Sequence, residues 1–283
     1  MKHLVDLHTH TTASDGQYSP AELVELARDA GLKYVAVTDH DTLRGLPEAM
    51  AAGEKLGVRV IPGVELSAAE DRHLHILGLN VQTGHTPLSE LCQKMRQERE
   101  ERKHRTMDFL RKKGVHIPLE EVERQAGNAA VGRPHFAQVI VRHGYASTTQ
   151  EVFSRFLDTQ EYQENVKECK PSAAACIQAI HAAGGKAVLA HPYQLGYDDM
   201  RLTELVSQLR GWGLDGLECY YPKHSAEQTA FYLKLAENCG LSVTAGSDFH
   251  GEKVKPDVQL QAVELDVAWL VTGGCGQSAE FAG

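Results

Sequence analysis

Val5-Asp6-Leu7-His8-Thr9-His10-Thr11-Thr12-Ala13-Ser14-Asp15-Gly16 is the stretch that decides how this chain folds and where its chemistry lies. It predicts a short strand that runs into a glycine-containing turn. His8 and His10 stand at alternate positions, and such side chains point to the same face of a strand. Both imidazoles can therefore converge on one cation, and Asp15 adds a carboxylate oxygen from the turn. Solvated surface histidines are the alternative interpretation of this pair.

Polar residues occur at the ends of five further predicted strands. The strands predicted at 34–38, 58–64, 73–78, 186–190 and 241–246 bring His40, Glu65, His75, His191, Asp248 and His250. In an α/β barrel the carboxyl ends of the strands all open onto one face, where active sites lie. The repetition therefore predicts a single polar site rather than scattered surface histidines.

Composition indicates an ordinary globular protein. Of the 283 residues, 42% are hydrophobic and 24% are charged, which is typical of a chain with an ample core. No apolar run approaches the ~20 residues of a membrane span, and the first residues enter a strand without a signal-like region. The six cysteines have no C-x-x-C spacing. We therefore expect a reduced, cytoplasmic protein with no membrane partner, and the oligomeric state stays open.

Charge is unevenly distributed along the chain. The formal net charge of −9 argues against a protein that coats DNA or RNA. Residues 84–167 nevertheless carry 14 Lys and Arg against 12 Asp and Glu, whereas the rest carries 15 against 26. An acidic body suits divalent cations, and a basic middle suits an anionic substrate.

The order of predicted elements divides the chain into two parts. Strands alternate with helices over 1–79, with helices at 20–30 and 46–56 that each stop at a glycine. Only helical patterns follow, at 88–113, 119–125, 133–143 and 149–157, before the alternation resumes near residue 171. We therefore expect an α/β barrel formed by 1–83 and 168–283, interrupted by an all-helical insert at 84–167. The stretch 272–278 lacks apolar periodicity and is expected to be mobile.

Six motifs resemble those of the polymerase-and-histidinol-phosphatase (PHP) superfamily of metal-dependent phosphoesterases. They are D-L-H-T-H at 6–10 with Asp15, T-D-H-D at 38–41, G-V-E at 63–65, H-I-L-G at 75–78, A-H-P at 190–192 and G-S-D-F-H at 246–250. The resemblance spans residues 6–250. It implies a distorted (β/α)7-type barrel that holds three divalent metal ions.

By this resemblance, each ion has its own ligands. His8, His10, Glu65 and Asp248 would hold the first, Asp15, His40 and His250 the second, and Glu65, His75 and His191 the third, with Glu65 bridging. Imidazole and carboxylate without thiolate suit Mn²⁺, Fe²⁺ or Zn²⁺ rather than a structural zinc cage. We expect Mn²⁺.

Motifs of the insert and one barrel motif resemble a particular branch of the superfamily. G-R-P-H-F-A at 132–137, H-G-Y at 143–145, F-S-R-F-L at 153–157 and Y-Y-P-K-H-S at 220–225 are similar to nucleoside 3′,5′-bisphosphate phosphatases and 5′-to-3′ exoribonucleases. The resemblance implies hydrolysis of a 3′-phosphate, as in adenosine 3′,5′-bisphosphate to AMP, and action on short 5′-phosphorylated oligoribonucleotides. It also supports Arg133 as a phosphate contact. A histidinol-phosphate phosphatase and a non-catalytic metal-binding module are the alternatives.

Two arginines lie on the inward face of the long predicted helix. At helical spacing, one stripe contains Leu91, Met95, Arg99, Arg102, Thr106 and Phe109, whereas Arg96, Lys103 and Lys112 point elsewhere. An inward guanidinium favours a bidentate anionic partner such as phosphate. Arg99 and Arg102 are therefore predicted substrate contacts, with an internal salt bridge or snorkelling as the alternative.

Two further residues are candidates for substrate contact or proton delivery. Asp41 follows His40 directly, and His224 lies in the Y-Y-P-K-H-S motif. A positioned acid must protonate the leaving ribose hydroxyl. The alternative for each is surface hydration or a bond to a metal ligand.

Overall fold

The computed structural model describes residues 1–127, 131–166 and 169–271. The stretch 272–278, expected to be mobile, lies outside the described residues. Among the described residues, none of the helices combines the length and the apolar character needed to cross a bilayer.

Within the described residues, eight strands form one curved sheet. They are β1 (Lys2–Thr9), β2 (Tyr34–Val37), β3 (Arg59–Ser67), β4 (His75–Leu79), β5 (Lys186–Leu189), β6 (Gly216–Tyr220), β7 (Ser242–Ala245) and β8 (Val263–Asp266), in the order β7-β6-β5-β4-β3-β2-β1-β8. Neighbours are parallel except for β3–β4, β4–β5 and β1–β8, which are antiparallel. The predicted α/β class is confirmed, and the count of seven βα units stays a prediction.

The sheet nearly closes on itself where β1 meets the segment after β7. The N-terminal half of β1 pairs with β8, from Lys2 opposite Asp266 to Val5 opposite Val263. Its C-terminal half instead meets the chain after β7: the His10 amide donates to the Phe249 carbonyl at 2.9 Å, and the Asp248 amide donates to the His8 carbonyl at 2.8 Å. These bonds bring both ends of the sequence to the mouth of the barrel.

Strand β4 corrects one expectation. The strand predicted at 73–78 begins only at His75 and runs antiparallel to both of its neighbours. Its amino end therefore lies at the same mouth as the carboxyl ends of the parallel strands. His75 reaches the site because it starts its strand, whereas the sequence pattern places it inside a strand that begins at residue 73.

Helices cover the sheet and form the insert. They are α1 (Pro20–Asp29), α2 (Leu46–Leu56), α3 (Pro87–Lys112), α4 (Leu119–Ala126), α5 (Arg133–Arg142), α6 (Thr149–Val152), α7 (Gln160–Asn165), α8 (Ala173–Ala182), α9 (Asp199–Gly211), α10 (Ala226–Cys239) and α11 (Ala268–Val271). A π-helical turn at Phe153–Leu157 continues α6, and a 3₁₀ turn occupies Pro192–Leu195. Serine or threonine caps begin α1, α3, α8 and α10, as helix starts favour.

The long helix α3 belongs to two hydrophobic cores. Its first turns place Leu88, Cys92 and Met95 in the large core shared with the barrel helices. From Met107 onward it joins a separate core that extends to Val166 and includes residues of α4, α5 and the π-helical turn. The barrel and insert boundaries at 83/84 and 167/168 stay a prediction, and α3 connects the two cores.

Candidate metal centre and phosphate cleft

All nine predicted metal ligands converge at the mouth of the barrel. They come from β1 (His8, His10), the following turn (Asp15), the residues after β2, β5 and β7 (His40, His191, Asp248, His250), β3 (Glu65) and the start of β4 (His75). Except for Asp15, His40 and His75, which are partly open to solvent, they are buried. The roles of individual residues as ligands stay predictions.

The first predicted group has the spacing of a coordination shell. Nε2 of His8 lies 3.1 Å from Nε2 of His10, and both lie 3.1–3.2 Å from Oε2 of Glu65. Oδ1 of Asp248 lies 3.7 and 3.4 Å from the same two nitrogens. Ligand atoms about 2.1 Å from a tetrahedral cation are separated by about 3.4 Å. The four side chains therefore match the shell of one cation.

The second group faces the open side of the centre. Asp15 lies 3.4 Å from His250, 3.8 Å from His10 and 3.9 Å from His40, each measured between a carboxylate oxygen and a ring nitrogen. The Asp15 side chain is 38% exposed, whereas the Glu65 side chain is fully buried. A cation at Asp15 would therefore be the more accessible to a substrate.

Glu65 connects the first and third groups. Its Oε1 lies 2.7 Å from Nδ1 of His75 and 2.9 Å from Nε2 of His191. Its other oxygen, Oε2, faces His8, His10 and also Nδ1 of His40 at 3.1 Å. The two oxygens thus point at different imidazole sets, which suits the predicted bridging role. How the nine side chains divide among individual ions stays a prediction.

The residues present fit divalent cations. Oε2 of Glu65 is buried without a hydrogen-bond partner among the described residues, a costly state for a carboxylate unless a cation or a proton donor satisfies it. Burial tends to raise the pKa of Glu65, but His40 and His75 hold it well below its usual range. Burial opposes the charging of His10, yet Asp248 and Glu65 raise the pKa of that imidazole to about 9. A cation bound by these side chains would compete with the proton on the His10 imidazole.

Glu218 supports the centre and was missed from the sequence. It is fully buried in β6, with Oε1 3.1 Å from Nδ1 of His8 and Oε2 accepting from the His191 amide at 2.6 Å. Such a carboxylate fixes the ring orientation of a ligating histidine. Its position near the end of β6 repeats the pattern that identified Glu65, so the signal was present in the sequence.

Strained backbone concentrates at the centre. Asp41, His191 and Asp248 are three of the four non-glycine residues with positive φ that the described ranges contain, at 53°, 25° and 57°. Such conformations cost of the order of 1–3 kcal/mol each and occur mainly where side chains must be aimed. Asp39 holds the adjoining turn, because it accepts bonds from the Thr11 amide and hydroxyl and from the Ser14 hydroxyl.

A cleft of about 1220 Å³ separates the metal centre from the insert. Asp15, His40 and His75 line its barrel side, and Arg99 and Arg102 of α3 line the insert side. The structure therefore brings both predicted arginines to the cavity that opens on the candidate metal ligands.

Arg99 and Asp41 contact each other. The Arg99 guanidinium donates to the Asp41 carboxylate, which also accepts from the Ser67 amide at 3.1 Å. Burial raises the pKa of Asp41, and Arg99 opposes that rise. The internal salt bridge, which was the alternative to phosphate binding in the sequence analysis, is thus present for Arg99. The Arg99 side chain nevertheless lines the cleft.

Arg133 lies elsewhere than expected. Its guanidinium donates to Asp158 at 2.5 Å and to the Leu157 carbonyl at 3.2 Å, and the cleft is lined instead by Gly132, Pro134 and His135. Because Arg133 is the first residue of α5 and His135 the third, the helix turns them to different sides. Phosphate binding by Arg133 stays a prediction, and His135 is a cleft residue that the sequence did not single out.

His224 is not among the residues that line the cleft. Its Nδ1 lies 3.0 Å from the Cys219 carbonyl, and its ring is 5.1 Å from the ring of Tyr221, which in turn is 6.1 Å from the ring of His191. Nε2 of His224 is buried and has no partner among the described residues. Its predicted role in substrate contact or proton delivery stays untested.

Comparison with known proteins shows the family. The PHP domain model matches residues 6–247, so the chain belongs to the PHP domain family. It is 35% identical over 246 residues to a 5′-3′ exoribonuclease of Haemophilus influenzae, covering 87% of this chain and 89% of the relative. It is 33% identical to a phosphoribosyl 1,2-cyclic phosphate 1,2-diphosphodiesterase of Eggerthella lenta (87% and 94% covered) and 31% to a 3′,5′-nucleoside bisphosphate phosphatase of Chromobacterium violaceum (87% of each).

A solved structure supports the same assignment. An amidohydrolase of Chromobacterium violaceum, with sulfate bound and no metal, superposes with a TM-score of 0.75 at 29% identity, covering 93% of this chain and 91% of the other. Family membership and the histidine and carboxylate cluster together make this chain a metal-dependent phosphoester hydrolase.

Proposed function

We propose that this chain hydrolyses the 3′-phosphate of nucleoside 3′,5′-bisphosphates, converting adenosine 3′,5′-bisphosphate to AMP, and releases 5′-mononucleotides from short 5′-phosphorylated oligoribonucleotides. One observation carries the proposal: predicted metal ligands line one side of the cleft and Arg102 and Arg99 line the other. Two facing anion-binding walls suit a substrate with two phosphates, one cleaved and one held.

The reaction needs few groups beyond the centre. Water adds to phosphorus, the bond from phosphorus to O3′ breaks, and a proton goes to O3′. Divalent cations held by the nine ligands would offset the phosphoryl charge and lower the pKa of the attacking water. The chain's own carboxylates and imidazoles hold the centre in place, with Glu218 orienting His8 and positioning the His191 backbone.

Arg102 is the proposed partner of the phosphate that is not cleaved. Arg99 lies beside it, and Asp41 acts as a positioning residue because it receives the Arg99 guanidinium. Arg133 would join them only by exchanging Asp158 for phosphate. His224 remains our candidate for proton delivery or substrate contact. Charge-assisted contacts of this kind contribute about 1.5–3 kcal/mol each.

A matched pair of substrates tests the proposal. Adenosine 3′,5′-bisphosphate and adenosine 3′-phosphate differ only in the 5′-phosphate, and phosphate release from each is measured with Mn²⁺ before and after EDTA. We expect the bisphosphate to be preferred and both activities to be lost with EDTA. Arg102→Ala should lower kcat/KM for the bisphosphate about ten- to a hundredfold and leave the monophosphate nearly unchanged.

Three results would overturn the proposal. The first is faster turnover of histidinol phosphate, and the second is faster turnover of a ribose cyclic phosphate diester. The third is an equal loss of both adenosine substrates in Arg102→Ala together with a lower Tm, which would assign Arg102 to a structural salt bridge. Lys94→Ala, an exposed cation on the same helix, serves as the control.

A further inference from the structure

A second cavity of about 1010 Å³ adjoins the cleft. His40, Ser14 and Arg99 line both, so the two spaces meet at the metal centre. The new cavity also extends to Arg44, which precedes α2, and to the part of α3 that carries Arg96, Glu100 and Lys103.

One face of α3 forms the wall of this cavity. Residues 96, 99, 100 and 103 line it, and this i, i+3, i+4, i+7 spacing places side chains on one helix face. Helical spacing in the sequence placed Arg96 and Lys103 off the inward stripe that contains Arg99 and Arg102. In the structure both side chains line this second cavity, and Arg99 lines both cavities.

The charges of this cavity are not balanced. Its lining contains four cationic side chains (Arg44, Arg96, Arg99 and Lys103) and two carboxylates (Glu100 and Glu123). Lys103 is buried and bonds both carboxylates, at 2.6 and 2.7 Å. Arg99 is paired with Asp41.

Two guanidiniums remain for a ligand. For neither Arg44 nor Arg96 does the described part of the chain contain a carboxylate oxygen within 4.0 Å. Among the described residues, Arg44 donates to the Ala13 carbonyl, at 3.3 Å. Both side chains are exposed at the cavity, where they are available to an anion.

We infer that this cavity binds the phosphodiester that follows the scissile one in an oligoribonucleotide, with Arg44 and Arg96 as its contacts. The inference rests on the proposed function. A nucleoside bisphosphate has only two phosphates, which the metal centre and Arg102 account for. A third anion site beside His40 is of use only to a substrate with a third phosphate. Cationic grooves of this kind bind the phosphate backbone of single-stranded nucleic acid without sequence preference.

A series of substrates that grows by one phosphate tests this subsite. Adenosine 3′,5′-bisphosphate and the 5′-phosphorylated dinucleotide each present two phosphates, whereas the 5′-phosphorylated trinucleotide presents three. In Arg44→Ala and Arg96→Ala we expect kcat/KM for the trinucleotide to fall about tenfold, while the two shorter substrates change less than twofold. The dependence of log kcat/KM on log salt for the trinucleotide should weaken by about 0.7 in each variant.

The outcomes separate this inference from the proposed function. If the unmodified protein cleaves neither the bisphosphate nor the dinucleotide, the proposed function fails. If it cleaves both but the variants cleave the trinucleotide as fast as Lys94→Ala does, the subsite is wrong. An equal loss on all three substrates also contradicts the subsite, because it would place Arg44 and Arg96 at the two-phosphate cleft.

Discussion

Glu65 is the residue on which the proposed centre depends most. Its two oxygens face separate imidazole sets within 2.7–3.2 Å, so a neutral amide there could not hold two cations together. We expect Glu65→Gln to lower kcat by more than about a hundredfold at saturating Mn²⁺ and to leave the circular dichroism spectrum unchanged. Near-normal activity would rule out the bridging role. Glu54→Gln, on the exposed side of α2, is the matched control.

Glu218 is not one of the predicted metal ligands, so changing it tests whether the orientation of the His8 and His191 ligands matters for metal binding. The Glu218 carboxylate bonds Nδ1 of His8 and the His191 amide. Glu218→Gln keeps the size of the side chain but weakens both hydrogen bonds, because the amide carries no charge. We expect Mn²⁺ affinity, measured by isothermal titration calorimetry, to fall about ten- to a hundredfold. If Mn²⁺ affinity is unchanged while the stability of the fold falls, Glu218 stabilises the barrel core and does not orient the metal ligands.

The convergence of the candidate ligands could be predicted from the sequence because it follows from strand geometry. His8 and His10 had to share a face, and a residue that follows a parallel strand had to reach the mouth. The partners of single side chains were not visible in this way: that Arg133 meets Asp158, or that Asp41 receives Arg99, depends on how the insert packs on the barrel. The partners of Lys103 were not visible for the same reason, since its two carboxylates come from α3 and α4.

Among the elements, long periodic helices and buried parallel strands were predicted nearly to their ends. There are two exceptions. The direction of β4 depends on how the sheet pairs, and the four residues of β8 alternate only weakly between partly buried and exposed positions. For the helix α3 the element was predicted but its packing was not. Its length could be predicted from the sequence, but not the fact that its two halves enter different cores.

The double role of α3 determines how the insert can be removed. Deletion of all of 84–167 would take Leu88, Cys92 and Met95 out of the barrel core. Glu98 accepts a bond from the Cys169 amide at 3.3 Å, so a short Gly-Ser link across 101–167 keeps that core and Arg99. We expect this variant to bind Mn²⁺ normally and to show a KM for adenosine 3′,5′-bisphosphate raised at least about tenfold. Activity on p-nitrophenyl phosphate should change much less, and equal losses would contradict the insert as the specificity element.

At the scale of the whole molecule, the candidate centre lies where the two ends of the sheet, β1 and the segment after β7, meet. β1 and the segment after β7 are 240 residues apart in sequence, and around the mouth they meet through backbone bonds such as those of His10 with Phe249 and of Asp248 with His8. His8, His10, Asp248 and His250 sit on these same two segments and are predicted to share cations. A ligand that binds only the folded state stabilises it, and here it would do so at this seam.

Removal of metal should therefore loosen the seam before the rest of the barrel. We expect hydrogen exchange, followed by mass spectrometry after EDTA treatment, to speed up at residues 8–11 and 247–250, while β2, which carries none of the nine predicted ligands, stays protected as the internal control. Added Mn²⁺ should restore protection, and at about a hundred times its Kd each site would contribute about 2.7 kcal/mol to stability. Glu65→Gln should regain less protection than the unmodified chain, since it lacks the bridging charge. A uniform change over all strands would show instead that the cations stabilise the fold as a whole and have no special part in closing the barrel.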